Sequence, residues 1–512
     1  MHWHHIFLTL VWVPIHHCLD YVPAPQQVVQ VVPPDQWLAM EAAMDPPSLR
    51  SAWTHDANTT AGPTSIAYAA CTSSYGSQVV HDVHVHLVAA SLKQYPNREF
   101  EFRSAFFFLP ATLGQAEAQQ NAFLEQFSSS FNPRYGLPEE SFAQLARRYW
   151  NCASVNAHAK FGRVSCFVPC GREDTTGIHV QGSFTVSEET QSVLVVRCVL
   201  PHNMLALCKR AGSEKLLMEV HFTRDMEAWW GGVAIELCAV HKRRTKPRRV
   251  TVCTQPWYDY ARMARAHPNF LRDWLEYHLH IGIDHFFIYD TDGSFASQVS
   301  TFVRQGLVSY YGFWARKLTP AMENWTAGAK APLCTELYAY THCLVSNHLV
   351  SDWVWFLHAP DEYVQLRWSM DRLMETLQKA WRTSLMFQVH HSTFARRSHK
   401  GCTPQSTATS GRGSVIRCSD ARAPAVDMTR GSPLVNPKFC ASGAAHECNA
   451  DFGGEFRSVG EHVSPSVLNI NHYVEFMPED LGRCSRMMGD ACDVFDREFW
   501  WVASYLAEGA AA

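Results

Sequence analysis

Two short acidic clusters stand where apolar runs stop. HFFIYDTDGS (residues 285–294) is a β-like stretch that ends in Asp290-Thr291-Asp292, and WVWFLHAPDEY (residues 353–363) ends in Asp361-Glu362. Carboxylates at the end of a buried strand can ligate a hard divalent cation, accept hydrogen bonds from a bound polar group, or shape a turn. The elements around each pair decide which chemistry it is placed to do.

From Arg249 onward the sequence alternates strand and helix. RVTVCTQ is a short buried-strand run. In PNFLRDWLEYHLHIG, Phe270, Leu271, Trp274, His278 and Ile281 share one helical stripe, with Pro268 before it and Gly282 closing it. Trp274 and Tyr277 read as core residues and His278 as a helix-surface residue. HFFIYD follows as a second buried strand. Strand, helix and strand within about forty residues predict a right-handed βαβ unit of a parallel sheet, whose ligands lie beyond the carboxyl ends of the strands. That rule places Thr254, Gln255, Asp290 and Asp292 on the ligand side. ELYAYTHCLVSNHLVSDW reads as a helix leading into the strand WVWFL, so Asp361-Glu362 also sits at a strand's carboxyl end. Residues 401–436 are rich in Ser, Thr, Gly and Pro, and most of them read as a mobile surface insertion without catalytic duty.

The preceding region, residues 60–245, holds several β-like runs such as RVSCFVPC and SVLVVRCVL and is expected to form a β-rich accessory region. His84 and His86 share one face of a strand, and Cys166 and Cys170 are spaced as a metal half-site. With no evident second pair for either, strand histidines and a disulfide or buried thiols are the expected reading. At 512 residues, 47% of them hydrophobic, the chain can bury a large core in two or more domains. Its 44 basic residues against 48 acidic ones give no global attraction to nucleic acid or anionic lipid, and the dense basic run HKRRTKPRR reads as a solvated linker.

Compartment is legible near the start. IFLTLVWVP (residues 6–14) has the length of a signal-peptide core, so residues 1–20 read as a signal peptide or short signal anchor. The Pro-rich stretch through residues 21–59 reads as a stem. Seventeen cysteines and the sequons at Asn58 and Asn324 fit an oxidising lumen, and the odd count leaves at least one cysteine without an intrachain partner. The expected location is the secretory pathway, in the Golgi lumen or membrane, or outside the cell.

FLRDWLEYHLHIGIDHFFIYDTDGS resembles the signature of glycosyltransferase family 92, a helix of the type L-x-E-W-x-x-Y-H-x-x-x-G leading into a strand that ends F-x-I-Y-D-x-x-S. CTQPWYDY resembles the family's first strand and loop, HCLVSNHLVSDWVWFLHAPDEYV its H-C…W-x-x-F-x-D-x-D-E-F segment, and NHYVEF its late His-Tyr motif. The similarity runs from about Arg249 to Met477. It implies an α/β fold of the GT-A kind over residues 249–500, a Rossmann-like nucleotide-sugar-binding domain. It also implies transfer of a sugar, with galactose as the candidate, to a glycan acceptor with help from Mn²⁺.

The resemblance assigns roles residue by residue. Asp361 falls on the second acid of the D-x-D motif, the usual metal ligand, and His472 on a metal or diphosphate contact. Asp290 falls where an acid accepts hydrogen bonds from the nucleoside, with Thr254 and Gln255 beside it, while Lys438 and His446 match basic and histidine positions that face phosphate. Asp292 with Gly293 makes the turn. An inverting transfer needs a base, for which Glu362, Glu447 and Glu475 are candidates. The chain departs from the family at Ala359, which stands where the first acid belongs; one extra residue lies between Trp353 and Asp361, and His358 is the nearest polar substitute. A catalytically inactive GT-A-like binding protein is therefore the alternative expectation.

Overall fold

The computed structural model describes residues 67–71, 77–80, 83–94, 99–110, 161–170, 177–186, 193–208, 215–224, 228–239, 248–316, 333–348, 350–380, 385–396, 419–422, 427–443, 448–450, 461–463 and 467–473. The chain divides into two compact units, residues 1–246 with 316–334, and residues 247–315 with 335–512.

The first unit is built on one antiparallel sheet. Its strands are β1 (Ala67–Ala70), β2 (Ser77–Val80), β3 (Val83–Gln94), β4 (Phe100–Pro110), β5 (Phe161–Pro169), β6 (Gly177–Val186), β7 (Leu194–Leu200), β8 (Lys215–Arg224) and β9 (Ala228–Ala239). They lie in the order β1-β9-β8-β5-β6-β7-β4-β3-β2, and β1 also pairs with β3, so the sheet curls back on itself. Alternate residues such as Phe100, Phe102, Val164, Cys166, Val220 and Phe222 line one core, as a half-buried pleat requires. Cys166 and Cys170 do form disulfides, though not with one another: their partners are Cys198 and Cys208. His84 and His86 lie with ring centroids 6.4 Å apart, and among the described residues no third metal ligand joins them.

The second unit is mixed α/β. Its sheet comprises β10 (Arg248–Thr254), β11 (His285–Asp290), β12 (Val308–Gly312), β13 (Ser351–Leu357), β14 (Glu362–Leu366), β15 (Met386–Arg396), β16 (Ser419–Arg422), β17 (Asp427–Val435), β20 (Glu461–His462) and β21 (Leu468–Tyr473). β18 (Cys440–Gly443) and β19 (Cys448–Ala450) form a separate two-stranded sheet. The helices are α1 (Tyr260–Ala266), α2 (Phe270–His280), α3 (Ala296–Arg304), α4 (Leu333–Asn347) and α5 (Met370–Ala380).

The main path of the sheet runs β12-β11-β10-β13-β17-β15-β21-β14. The first four strands are mutually parallel and β17 then pairs antiparallel with β13. Because the chain builds outward from β10 to β12 and then returns to place β13 on the other side of β10, the strand order reverses between β10 and β13. Such a switch point leaves a crevice at the carboxyl ends of the two strands, where open α/β sheets bind their ligands. The expected βαβ unit is present, and HFFIYD and WVWFL share this sheet as β11 and β13. All six residues of β11 are buried, as a strand covered on both faces demands.

The end of the 401–436 segment is regular structure. Within residues 401–436, the segment Asp427–Val435 is the strand β17, which lies between β13 and β15. Its start, Asp-Met-Thr-Arg-Gly-Ser, lacks a continuous apolar run and concealed it, while Leu434 and Val435 at its end are fully buried. Residues 401–418 and 423–426 lie outside the described residues.

Candidate functional site

The second acidic pair lies where β13 turns back into the sheet. β13 ends at Leu357, the amide of Glu362 closes the turn on the carbonyl of Ala359 at 3.1 Å, and β14 begins with Glu362. β14 pairs antiparallel with β21, matching Glu362 to His472, and β21 pairs parallel with β15, matching Thr393 to His472 and Ile470 to His391. The pairing gathers groups from three distant parts of the chain.

The resulting cluster holds two carboxylates and three imidazoles. Glu362 Oε2 accepts from the backbone N–H of His358 at 2.8 Å, and Glu362 Oε1 lies 3.0 Å from His358 Nδ1. His472 Nε2 is 3.6 Å from Asp361 Oδ2, while Asp361 Oδ1 is enclosed without a hydrogen-bond partner. His391 Nε2 contacts Ser432 Oγ at 2.8 Å, and the His391 ring lies 6.1 Å from that of His358 and 5.7 Å from that of His472. Burial acts to raise the pKa of Glu362, but His358, His391 and His472 together hold it well below the usual carboxylate range. This carboxylate stays ionised because the histidines surround it.

Side chains of the first two resemblance motifs fix the backbone of this loop. Trp257 Nε1 donates to the carbonyl of His358 at 3.0 Å and Trp274 Nε1 to that of Glu362 at 2.8 Å. Tyr277 Oη donates to the carbonyl of Val364 at 2.7 Å, and the amide of Val364 donates to His278 Nε2 at 3.2 Å. With Nε2 accepting, the proton of His278 sits on Nδ1 and donates to the carbonyl of Trp274 at 2.8 Å. Trp274 and Tyr277 are core residues, as expected. His278 is a correction: it is fully buried rather than on the helix surface, and burial pushes its pKa down to about 3. A residue on the apolar stripe of α2 could not reach water.

The first acidic pair is organised differently. Asp290 Oδ1 accepts from the amides of Asp292 and Gly293, and Oδ2 accepts from the amide of Phe295 and from Tyr310 Oη at 2.6 Å. Four donors from the chain itself occupy this fully buried carboxylate, which fixes the turn. Burial first, then the neighbouring Asp292, pushes its pKa up to about 7. Asp292 accepts from the amides of Asp259 and Ser294, and Gly293 has φ 78°, where a Cβ would meet the Phe313 ring at 2.5 Å. This DTD sequence is the turn between β11 and α3.

The remaining expected residues fall in several places. Thr254 is buried at the end of β10, where its Oγ1 accepts from the amide of Tyr289, and Gln255 is half-buried beside it at the switch point. Lys438 is half-buried in the turn after β17. Glu362, a candidate base, has each of its oxygens in contact with one nitrogen of His358. His446, Glu447, Glu475, Asn58, Asn324, the N-terminal apolar run and nearly all of the basic run lie outside the described residues. His391 was not anticipated: in QVHHSTF it has no carboxylate or histidine at ligand spacing beyond its neighbour His390, and only strand pairing brings it to the site.

The family model described as Glycosyltransferase family 92 matches residues 248–416. This part of the chain belongs to glycosyltransferase family 92. The family 92 segment contains β10, α2, β11, β13 and the Asp361-Glu362 loop, whereas Lys438, His446 and His472 lie beyond its end. No curated protein matches the chain.

Proposed function

We propose that the chain is a glycosyltransferase of the GT-A kind that transfers a sugar, galactose being the first candidate, from a nucleotide-sugar to a glycan acceptor. The observation that carries this reading is the position of Asp361: at the carboxyl end of β13, beside the strand-order reversal, with one enclosed oxygen that has no protein partner. An enclosed carboxylate oxygen without a donor suits a cation, and His472 Nε2 lies close enough to join it. Asp361 and His472 would hold a divalent cation, Mn²⁺ by resemblance. When bound, such a cation neutralises the donor's diphosphate and stabilises it as leaving group.

The chain's own residues orient the reaction. Trp257, Trp274, Tyr277 and His278 fix the backbone on both sides of Asp361, so its carboxylate is held before the donor arrives. Gln255 follows the end of β10, the strand beside β13 at the reversal. Disulfides support residence in the secretory pathway, in the Golgi or beyond it, since such bonds persist in oxidising compartments. Among the described residues no helix is long and apolar enough to cross a membrane.

A second reading, a GT-A-like protein that binds without turnover, is favoured by Ala359, which leaves the first acid position of the motif without a carboxylate. The test is a titration of the purified chain with nucleoside diphosphates with and without Mn²⁺, followed by nucleotide-sugars and glycan acceptors. Metal-dependent binding with transfer supports the enzyme, metal-independent binding without transfer supports the binder, and no binding to either overturns both.

A further inference from the structure

We propose that His358, Glu362 and His391 form a second divalent-cation site, one selective for an imidazole-preferring ion such as Zn²⁺. The three residues each offer one ligand atom, and those atoms all lie within 4.8 Å of one another. In a four-coordinate zinc site with bonds of about 2.0–2.2 Å, neighbouring ligand atoms stand about 3.3–3.5 Å apart. The His358 Nδ1 to Glu362 Oε1 separation of 3.0 Å is already near that value.

The donor set decides the ion. Two imidazole nitrogens and one carboxylate oxygen match the three-ligand pattern of open zinc sites, which leave a fourth position for water or substrate. Manganese and magnesium favour sets made of oxygen. A ligating imidazole is ordinarily steered by a hydrogen bond at its other nitrogen, and Ser432 Oγ supplies such a contact to His391 Nε2. The placement also has a purpose. His358 follows β13, Glu362 opens β14 and His391 lies in β15, three strands that are not neighbours in the sheet. An ion shared by them would brace the loop carrying Asp361.

This site uses neither Asp361 nor His472, so it stands or falls apart from donor binding. The test uses the full, tag-free chain, stripped of metal and titrated with Zn²⁺ against a chromophoric chelator, with Mn²⁺ as competitor. One tight equivalent of Zn²⁺ that Mn²⁺ does not displace is expected, with affinity falling at least about tenfold in both His391→Gln and His358→Gln. Wild-type protein that retains no zinc, or zinc held equally well by both variants, would overturn the site. Should either variant fail to fold, X-ray absorption of the zinc-loaded wild type decides: two imidazoles and an oxygen shell support the proposal, and a shell containing sulfur or lacking imidazole sinks it.

Discussion

Asp361 Oδ1 is enclosed with no protein donor, whereas both oxygens of Asp292 accept backbone N–H groups and all four contacts of Asp290 come from its own turn and from Tyr310. The difference predicts distinct phenotypes for one chemical change. Asp361→Asn removes a charged ligand from a hard cation and should abolish Mn²⁺-dependent donor binding with little loss of fold stability. Asp290→Asn turns an amide NH₂ toward buried N–H donors and should cost about 1–3 kcal/mol of stability. Donor affinity across a Mn²⁺ titration, with urea melts of each variant, separates them; metal dependence that survived Asp361→Asn would move the cation elsewhere. In sequence the two pairs look alike, because each closes an apolar run with acids. What distinguishes them is local for DTD, where Gly293 marks the turn, and remote for Asp361, whose partner His472 is set by strand pairing that no spacing reveals.

At the scale of elements, α2 is a helix whose apolar stripe also carries the polar atoms that hold β14. Its stripe was readable because Phe270, Leu271, Trp274 and His278 recur at helical spacing, but the partners of Trp274, Tyr277 and His278 lie 86 to 88 residues away. Tyr277→Phe deletes one hydroxyl and leaves the buried carbonyl of Val364 unsatisfied, a loss of about 1–3 kcal/mol. Donor affinity should fall with it, because β14 begins one residue after Asp361; an unchanged affinity in a destabilised variant would separate α2 from the site. His278 adds a pH dependence. Its folded pKa of about 3 lies below the ordinary histidine value, so between the two the unfolded chain binds a proton that the folded chain refuses. Stability is therefore full above about pH 6.5 and declines as the pH falls toward 3, by up to about 1.4 kcal/mol per pH unit. His342, likewise buried and held near 3, adds in the same direction. In urea melts at pH 7 and pH 5, His278→Gln should start less stable than wild type and lose less on acidification; an equal loss would assign the acid sensitivity to other groups.

For the whole molecule, disulfides tie together segments that the sequence separates widely. Among the described residues Cys71 pairs with Cys238, Cys166 with Cys198, Cys170 with Cys208, Cys253 with Cys343, and Cys440 with Cys448. None of these pairings was legible: seventeen cysteines allow too many connectivities, and the partners meet only once a sheet has formed. Fold class was more accessible, since the change from β-like runs to alternating strand and helix near Arg249 is a matter of local periodicity. Two of these bonds lie in the second unit and close loops of very different length, 90 residues for Cys253–Cys343 and 8 for Cys440–Cys448. If a crosslink acts mainly by restricting the unfolded chain, the longer loop should matter more, about 4–5 kcal/mol against about 2–3. Cys253–Cys343 also joins β10 to α4 in the core of that unit, so its loss should be felt where the crevice forms, whereas Cys440–Cys448 joins only β18 to β19, a pair that shares no strand pairing with the sheet. Paired serine variants of each bond, compared by urea melts in oxidising buffer, should rank in that order, with the Cys253→Ser, Cys343→Ser protein also losing donor affinity. A larger loss from the short loop would show that local packing around Cys440 and Cys448, and not chain restriction, sets the stability of the second unit.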